Sequence, residues 1–406
     1  MAGLLDPDSA VAIVLAAAPG PRAEPVPLDG ALGRVTAEEV VSGLAVPPFD
    51  NSAMDGFALR RADTAAGSAE LRVVAEARAG HPAARGPGAG EAVRISTGAP
   101  LPAGADAVVA VEDVDERGGA IHLRRAVEAG AHVRRAGEDV AAGAAVLAAG
   151  AEIGAAELGV LATVGRATVD CARRPRVALL VTGDELVAPG RPLRPGEIHD
   201  AGSHTLRALA TAAGAEIAGV ERVRDDPAAT RAAVERALAT AEVVVACGGV
   251  SVGPHDHVKA AFAALGVEQR FWRVALRPGK PTWFGVGPAR PGEQPPLVFG
   301  LPGNPVSAMV TFHVFVRPAL RAALGLPPRA PRLDAVLEER YRKALGRVEY
   351  ARCRAEPSAY GWHVRLTTPG QQSHRLTSML GANALAVLPA DRDELVAGER
   401  VELELL

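Results

Sequence analysis

From Pro175 onward the chain alternates short, wholly apolar runs with amphipathic ones, and that alternation leaves little choice of fold. RVALLV, EVVVACGG and PLVFGLPGNP lack the polar alternation of a half-solvated strand. A run that is apolar on both faces has to be covered on both. Between these runs, SHTLRALATAAG, DPAATRAAVERALATA and HVKAAFAALG read as helices. QRFWRVAL and PTWFGVG read as further strands, and VSAMVTFHVFVRPALRAALG as a long apolar helix. Strands alternating with helices predict a mostly parallel sheet with helices on either side, a central three-layer α/β/α domain over 175–326.

The remainder follows a different pattern. From 47 to 137, short apolar runs such as FALRRAD, ELRVVAEA, EAVRIS and DAVVAVEDV are separated by glycine and proline, as in a small β-rich domain. It interrupts a helical or mixed stem formed by 1–46 and 138–174, in which PVPLDGALGRVTAEEVVS reads as a strand and a second helix-like stretch and GAAELGVLATVG as helical. AVAIVLAAAPG follows Asp6 and Asp8 and has no basic segment before it, so it reads as a helix capped near Asp8 or Ser9 rather than a secretion signal. Prolines 327, 328 and 331 mark a linker, and 331–406, ending in ALAVLPA and ERVELELL, reads as a β-barrel-like domain.

Composition narrows the function classes. The 406 residues exceed what one hydrophobic core usually supports. A net charge of −3 and 3% aromatics argue against a nucleic-acid binder, which needs a basic face or stacking platforms. Cys171, Cys247 and Cys353 lie far apart in no metal spacing, as expected in a reducing compartment, and no segment reaches the roughly 18 apolar residues of a membrane span. A cytoplasmic enzyme is the expectation.

In open parallel sheets the ligand crevice lies at the carboxyl ends of the strands, and there this chain places its unusual loops. RVALLV is followed by TGDELVAPG, with Thr182 and Gly183. EVVVA is followed by CGGVSVGPHD, with Gly248, Gly249, Ser251 and Gly253, and PLVF by GLPGNPVSA. Glycines at strand exits let backbone N–H groups turn toward an anion, and a helix N-terminus adds partial positive charge. Each such loop is also an ordinary βα connection; three in one domain converge if their strands are neighbours. Asp184, Glu185, Asp225, Asp226 and Asp256 sit at or near strand ends, and carboxylates there suit Mg²⁺ beside phosphate oxygens. Asp225 and Asp226 serve equally as helix caps, and Asp184 as a solvated turn. Lys280, between Gly279 and Pro281, offers a point charge for a phosphate or oxyanion. One stretch outside this domain, PPFDNSAMDGFALR, places Asp50 and Asp55 between two prolines and Gly56, and reads either as a plain turn or as a rigid acidic finger.

Taken in order, PPFDNSAMDGFALR, ISTGAPLPAGADAVVAVEDV, GEDV, VTGDEL, GGVSVGPHD, RPGKP and GLPGNPVSA resemble the MoeA family of molybdopterin molybdenumtransferases, which includes the E domain of gephyrin. The resemblance extends to the C-terminal QQSHRLTSMLGANAL. It implies Mg²⁺-dependent insertion of molybdenum from molybdate into adenylylated molybdopterin with release of AMP, in a homodimer with composite sites. Roles are implied for Asp55, Thr97 and Asp139. Pro302, Asn304 and Ser307, with Arg352, Ser373 and Ser378 from the C-terminal domain, are the implied donors for molybdate. The chain departs from the family pattern at Gly202, where asparagine is common, at Arg277, where lysine is usual, and at Glu242, where aspartate is usual. GGVSVG alone would also fit a molybdopterin adenylyltransferase, which uses ATP one step earlier and is a natural partner; a non-enzymatic scaffold is the third reading.

Overall fold

The computed structural model describes residues 4–250, 257–359 and 361–406. The chain divides into two compact units, 25–170 and the remainder.

In the larger unit, six strands form one sheet in the order Glu216–Val223, Arg176–Thr182, Val243–Cys247, Leu297–Leu301, Trp283–Val286, Glu268–Trp272. The first four run parallel, with Leu179 opposite Val245 and Val245 opposite Phe299. Trp283–Val286 runs antiparallel to both its neighbours, with Trp272 facing Trp283, and residues 273–282 join the last two strands without a helix. Alternation along Arg176–Thr182 sends Val177, Leu179 and Val181 into one apolar core and Ala178 and Leu180 into another. Leu206, Phe315 and Leu320 cover the first face, Val234 and Phe262 the second, which gives the expected three layers.

The long apolar helix forms over Pro305–Thr311 and Arg317–Ala323, but Phe312–Val316 between them is a π-turn. Pro318 lacks an N–H and its ring crowds the carbonyl of the preceding turn, so the ladder widens there. The N-terminal helix spans Pro7–Ala17 and is capped by Asp6, whose carboxylate accepts from Ser9 N–H at 3.0 Å. The cap thus lies earlier than Asp8 or Ser9, because Pro7 fits the first helical position and needs no acceptor.

After the proline linker, five strands close into a barrel. Val348–Ser358 pairs with Gly361–Leu366, then come Leu333–Leu337, Arg400–Leu405 and Ala384–Leu388, which returns to Val348–Ser358. Leu276–Arg277 pairs in parallel with Val348 and Glu349, so the loop carrying RPGKP is stitched to the barrel.

The smaller unit holds a six-stranded sheet in the order Ala107–Ala110, Gly56–Leu59, Glu91–Ile95, Ala69–Ala77, Ala120–Leu123, Val114–Arg117. Gly56 opens a fully buried strand rather than a turn. A Cβ there would stand 1.9 Å from the Val109 carbonyl oxygen, so glycine is required by close strand approach. The helix-like reading of TAEEVVS is not met: Val40–Val41 is a short strand. Of the helical material expected over 138–174, only Ala155–Thr163 is α-helix; glycines 137, 143 and 150 hold positive φ, which stops helices from propagating.

Candidate active site

A cleft of about 680 Å³ opens at the carboxyl ends of the parallel strands. Three strand-exit loops converge on it: Thr182, Gly183 and Glu185 from the first, Gly248 and Gly249 from the second, Pro302 and Asn304 from the third. Neighbouring strands in the sheet order make this convergence unavoidable. Gly248 holds φ +94°, and a Cβ there would meet Thr182 Oγ1 at 2.6 Å. Only glycine lets these two loops close to this separation; the Gly248 N–H itself donates to the Leu301 carbonyl at 3.0 Å and the Gly183 N–H to the Val223 carbonyl at 3.3 Å.

The acids are distributed unevenly. Glu185 and Asp225 line the cleft. Asp184 does not; its Oδ1 accepts the Asp225 N–H at 3.3 Å while its own N–H donates to Asp225 Oδ2 at 3.4 Å. Asp226 caps the helix Pro227–Thr240 by accepting from Ala229 N–H at 2.7 Å. Ser251, Gly253 and Asp256 lie outside the described residues. Lys280 is exposed beside Pro281, which lines the cleft. Its carbonyl accepts from Val274 N–H at 3.0 Å, leaving the ammonium group at the surface.

The barrel supplies one wall. Ser373 accepts from Asn304 Nδ2 at 3.1 Å, and its carbonyl accepts from Val306 N–H at 3.3 Å at the start of the helix. His374, next in sequence, lines the cleft. Arg352 is fully buried behind this loop. Its Nε donates to Ser378 Oγ at 3.2 Å and its terminal nitrogens donate to the carbonyls of Gln371 and Gln372, each at 3.3 Å. Burial and the neighbouring Arg277 draw its pKa below the ordinary value, against the pull of Tyr341 and Glu349. Ser307 is buried, and its carbonyl accepts from Thr311 Oγ1 at 2.7 Å. None of Ser307, Arg352, Ser373 and Ser378 lines the cleft.

Sequence reasoning missed His374, Asp200 and Cys247, all of which line the cleft. Asp200 is buried and accepts from Ser203 N–H at 2.9 Å and Ser203 Oγ at 2.5 Å, so D-x-x-S ahead of a helix was its signal. Cys247 is buried at the strand end; burial and then the nearby Asp200 push its thiol up to about 12, so it is no thiolate at neutral pH.

In the smaller unit, Asp55 and Thr97 meet. Asp55 Oδ1 accepts from Thr97 N–H at 2.7 Å and from its hydroxyl at 3.2 Å. Asp50 accepts from Arg135 Nη1 at 2.6 Å and Ala136 N–H at 2.8 Å, which hold its carboxyl below the usual range. Asp139 is exposed, its N–H donating to the Val46 carbonyl at 3.0 Å.

Three family models match in order: "MoeA N-terminal region (domain I and II)" over 5–165, "Probable molybdopterin binding domain" over 178–322, and "MoeA C-terminal region (domain IV)" over 334–406. Molybdopterin molybdenumtransferase 2 of Mycobacterium tuberculosis is 38% identical over 390 residues, covering 93% of this chain and 94% of its own. Molybdopterin molybdenumtransferase of Haemophilus influenzae is 36% identical over 381 residues, covering 93% and 92%. A crystal structure of a molybdopterin biosynthesis MoeA protein from Pyrococcus horikosii superposes with a TM-score of 0.86 at 32% identity, over 99% of each chain.

Proposed function

This chain belongs to the MoeA family of molybdopterin molybdenumtransferases, transferases of molybdenum cofactor biosynthesis, and we propose that its cleft transfers molybdenum from molybdate to adenylylated molybdopterin with release of AMP. The observation that carries the reading is the meeting of three glycine-containing strand exits on one cleft of about 680 Å³. Glycine at such exits lets a nucleotide phosphate approach the backbone closely, with no side chain in the way. Lys280, at the rim beside Pro281, supplies the positive charge that a departing phosphate needs.

Among the described residues no three acidic, histidine or cysteine side chains gather as a closed metal site. Glu185 and Asp225 instead reach the cleft as separate carboxylates. That donor set fits Mg²⁺, which takes one or two carboxylates and completes its shell with phosphate oxygens and water. Glu185 and Asp225 would hold it, with Asp256 assigned the same task from its motif. Bound there, Mg²⁺ supplies neutralisation of phosphate charge. Asn304, on the cleft wall and hydrogen-bonded to Ser373, is the proposed donor orienting molybdate at the barrel side of the cleft. Arg352 and Ser378 hold the 371–378 loop in place from behind.

We assign the protein to the cytoplasm and to a homodimer in which Asp55 and Thr97 serve the cleft of the partner subunit, with a molybdopterin adenylyltransferase as supplier of the substrate. The test incubates the protein with adenylylated molybdopterin, Mg²⁺ and molybdate and follows AMP. Turnover of ATP with free molybdopterin would instead identify an adenylyltransferase. Mixing Asp55→Ala and Glu185→Ala chains, each inactive alone, should restore partial activity; no recovery would refute the shared site.

A further inference from the structure

A second, smaller pocket of about 100 Å³ lies away from the cleft, between the C-terminal half of the long helix, the proline linker and the last barrel strand. Its wall carries Arg317, Arg321, Arg329, His313 and one carboxylate, Glu404. That carboxylate is already committed. Glu404 accepts from Arg329 and, at 2.9 Å, from Arg332 Nε, and stands 3.5 Å from His313 Nε2. Arg329 is engaged a second time, by Asp8 at 2.7 Å.

Arg317 and Arg321 have only neutral partners. Arg317 Nη1 donates to His313 Nδ1 at 3.2 Å and to the Leu405 carbonyl at 3.4 Å. Arg321 Nε donates to the Pro327 carbonyl at 2.8 Å. Among the described residues no carboxylate comes within ion-pair distance of either guanidinium. The two stand four apart on one helix and face the same side, where like charges repel. Burial, and then Arg321 itself, draw the Arg317 guanidinium below its ordinary value, with Glu404 opposing. Two half-buried cations without a counter-charge are unfavourable, and an anion between them removes the penalty.

We propose that this pocket binds a small tetrahedral oxyanion of the phosphate or sulfate class, gripped by the guanidinium forks of Arg317 and Arg321. Paired forks suit such oxygens bidentately. The volume admits one inorganic ion and is far below the 680 Å³ of the cleft. An anion there ties the helix to the linker from which the barrel hangs. The assignment stands independently of the chemistry proposed for the cleft.

The experiment titrates the full-length protein with inorganic phosphate, ionic strength held constant with chloride, and reads the unfolding temperature. The wild type should show a saturable rise with a Kd of about 1 mM or tighter. Arg321→Glu supplies Arg317 with an internal partner four residues away. It should therefore unfold at a higher temperature than the wild type without phosphate and lose the response to it. Lys280→Ala, altered at the cleft, should keep the response. Glycerol 3-phosphate serves as the second arm: a response to inorganic phosphate alone identifies a free ion, and a response to both identifies a phosphate group carried by a larger ligand. An equal rise in wild type and Arg321→Glu overturns the site. So does an Arg321→Glu protein that is less stable and has lost its oligomeric state, since a carboxylate of another copy would then be the counter-charge.

Discussion

The cleft and the barrel end treat their polar side chains in opposite ways. At the cleft, Glu185 and Lys280 are exposed and, among the described residues, hold no hydrogen bond or ion pair through their charged ends. At the barrel end, Arg352 has no exposed surface and donates to Ser378, Gln371 and Gln372. Glu185 and Lys280 are thus uncommitted at their charged ends, whereas Arg352 is fully engaged in shaping the loop that carries Ser373 and His374. The two regions should therefore fail differently when altered: the barrel end in stability, the cleft in chemistry.

The largest effect belongs to Arg352→Gln. It takes the guanidinium donors from the buried Gln371 carbonyl and the part-buried Gln372 carbonyl, while the Ser378 hydroxyl keeps its bond to the Arg375 carbonyl, so urea unfolding should show a loss of about 3 kcal/mol. Hydrogen exchange over 371–378 should quicken with it. An unchanged stability would mean that the loop holds itself. Of similar size is the effect at Glu404, whose carboxyl burial pushes up but which His313, Arg329 and Arg332 bring net down to about 2, from 4.5. A depressed folded value stabilises above the unfolded one and is lost as the pH falls from about 4.5 to about 2, a contribution of about 3 kcal/mol. Glu404→Gln should flatten stability across that acid window, measured as unfolding free energy against pH. A window unchanged from wild type would show that other carboxylates govern acid unfolding. The smallest effect is that of Lys280→Ala, which should raise KM about tenfold, worth about 1.4 kcal/mol, and leave the unfolding midpoint alone. A fall in midpoint would place Lys280 with the structural groups.

How much of this was legible in the sequence follows the same division. The α/β layers were readable because RVALLV and EVVVACGG are apolar on both faces, which only a doubly covered strand explains. The glycine loops at the strand exits were readable for the same reason. The antiparallel end of the sheet was not, since a strand's direction depends on how it is connected and the runs themselves look alike. Arg352 read as a molybdate donor, and its burial was not legible because its partners are carbonyls 19 and 20 residues further along, a distance that no local pattern encodes. His374 sat inside a quoted motif, but its placement at the cleft depends on the Asn304–Ser373 hydrogen bond across 69 residues. In the stem, TAEEVVS has helical composition, yet its strand pairing with Ala145–Leu147 prevails over propensity.

The most direct test of the central claim is single-turnover AMP release from adenylylated molybdopterin with Mg²⁺, with and without molybdate, in the wild type and in Glu185→Gln. The wild type should release AMP in a molybdate-dependent manner. Glu185→Gln, with an unchanged unfolding temperature, should be slower by about a hundredfold or more. Full-rate release by Glu185→Gln, or AMP release indifferent to molybdate, would contradict the assignment of this cleft to molybdenum transfer.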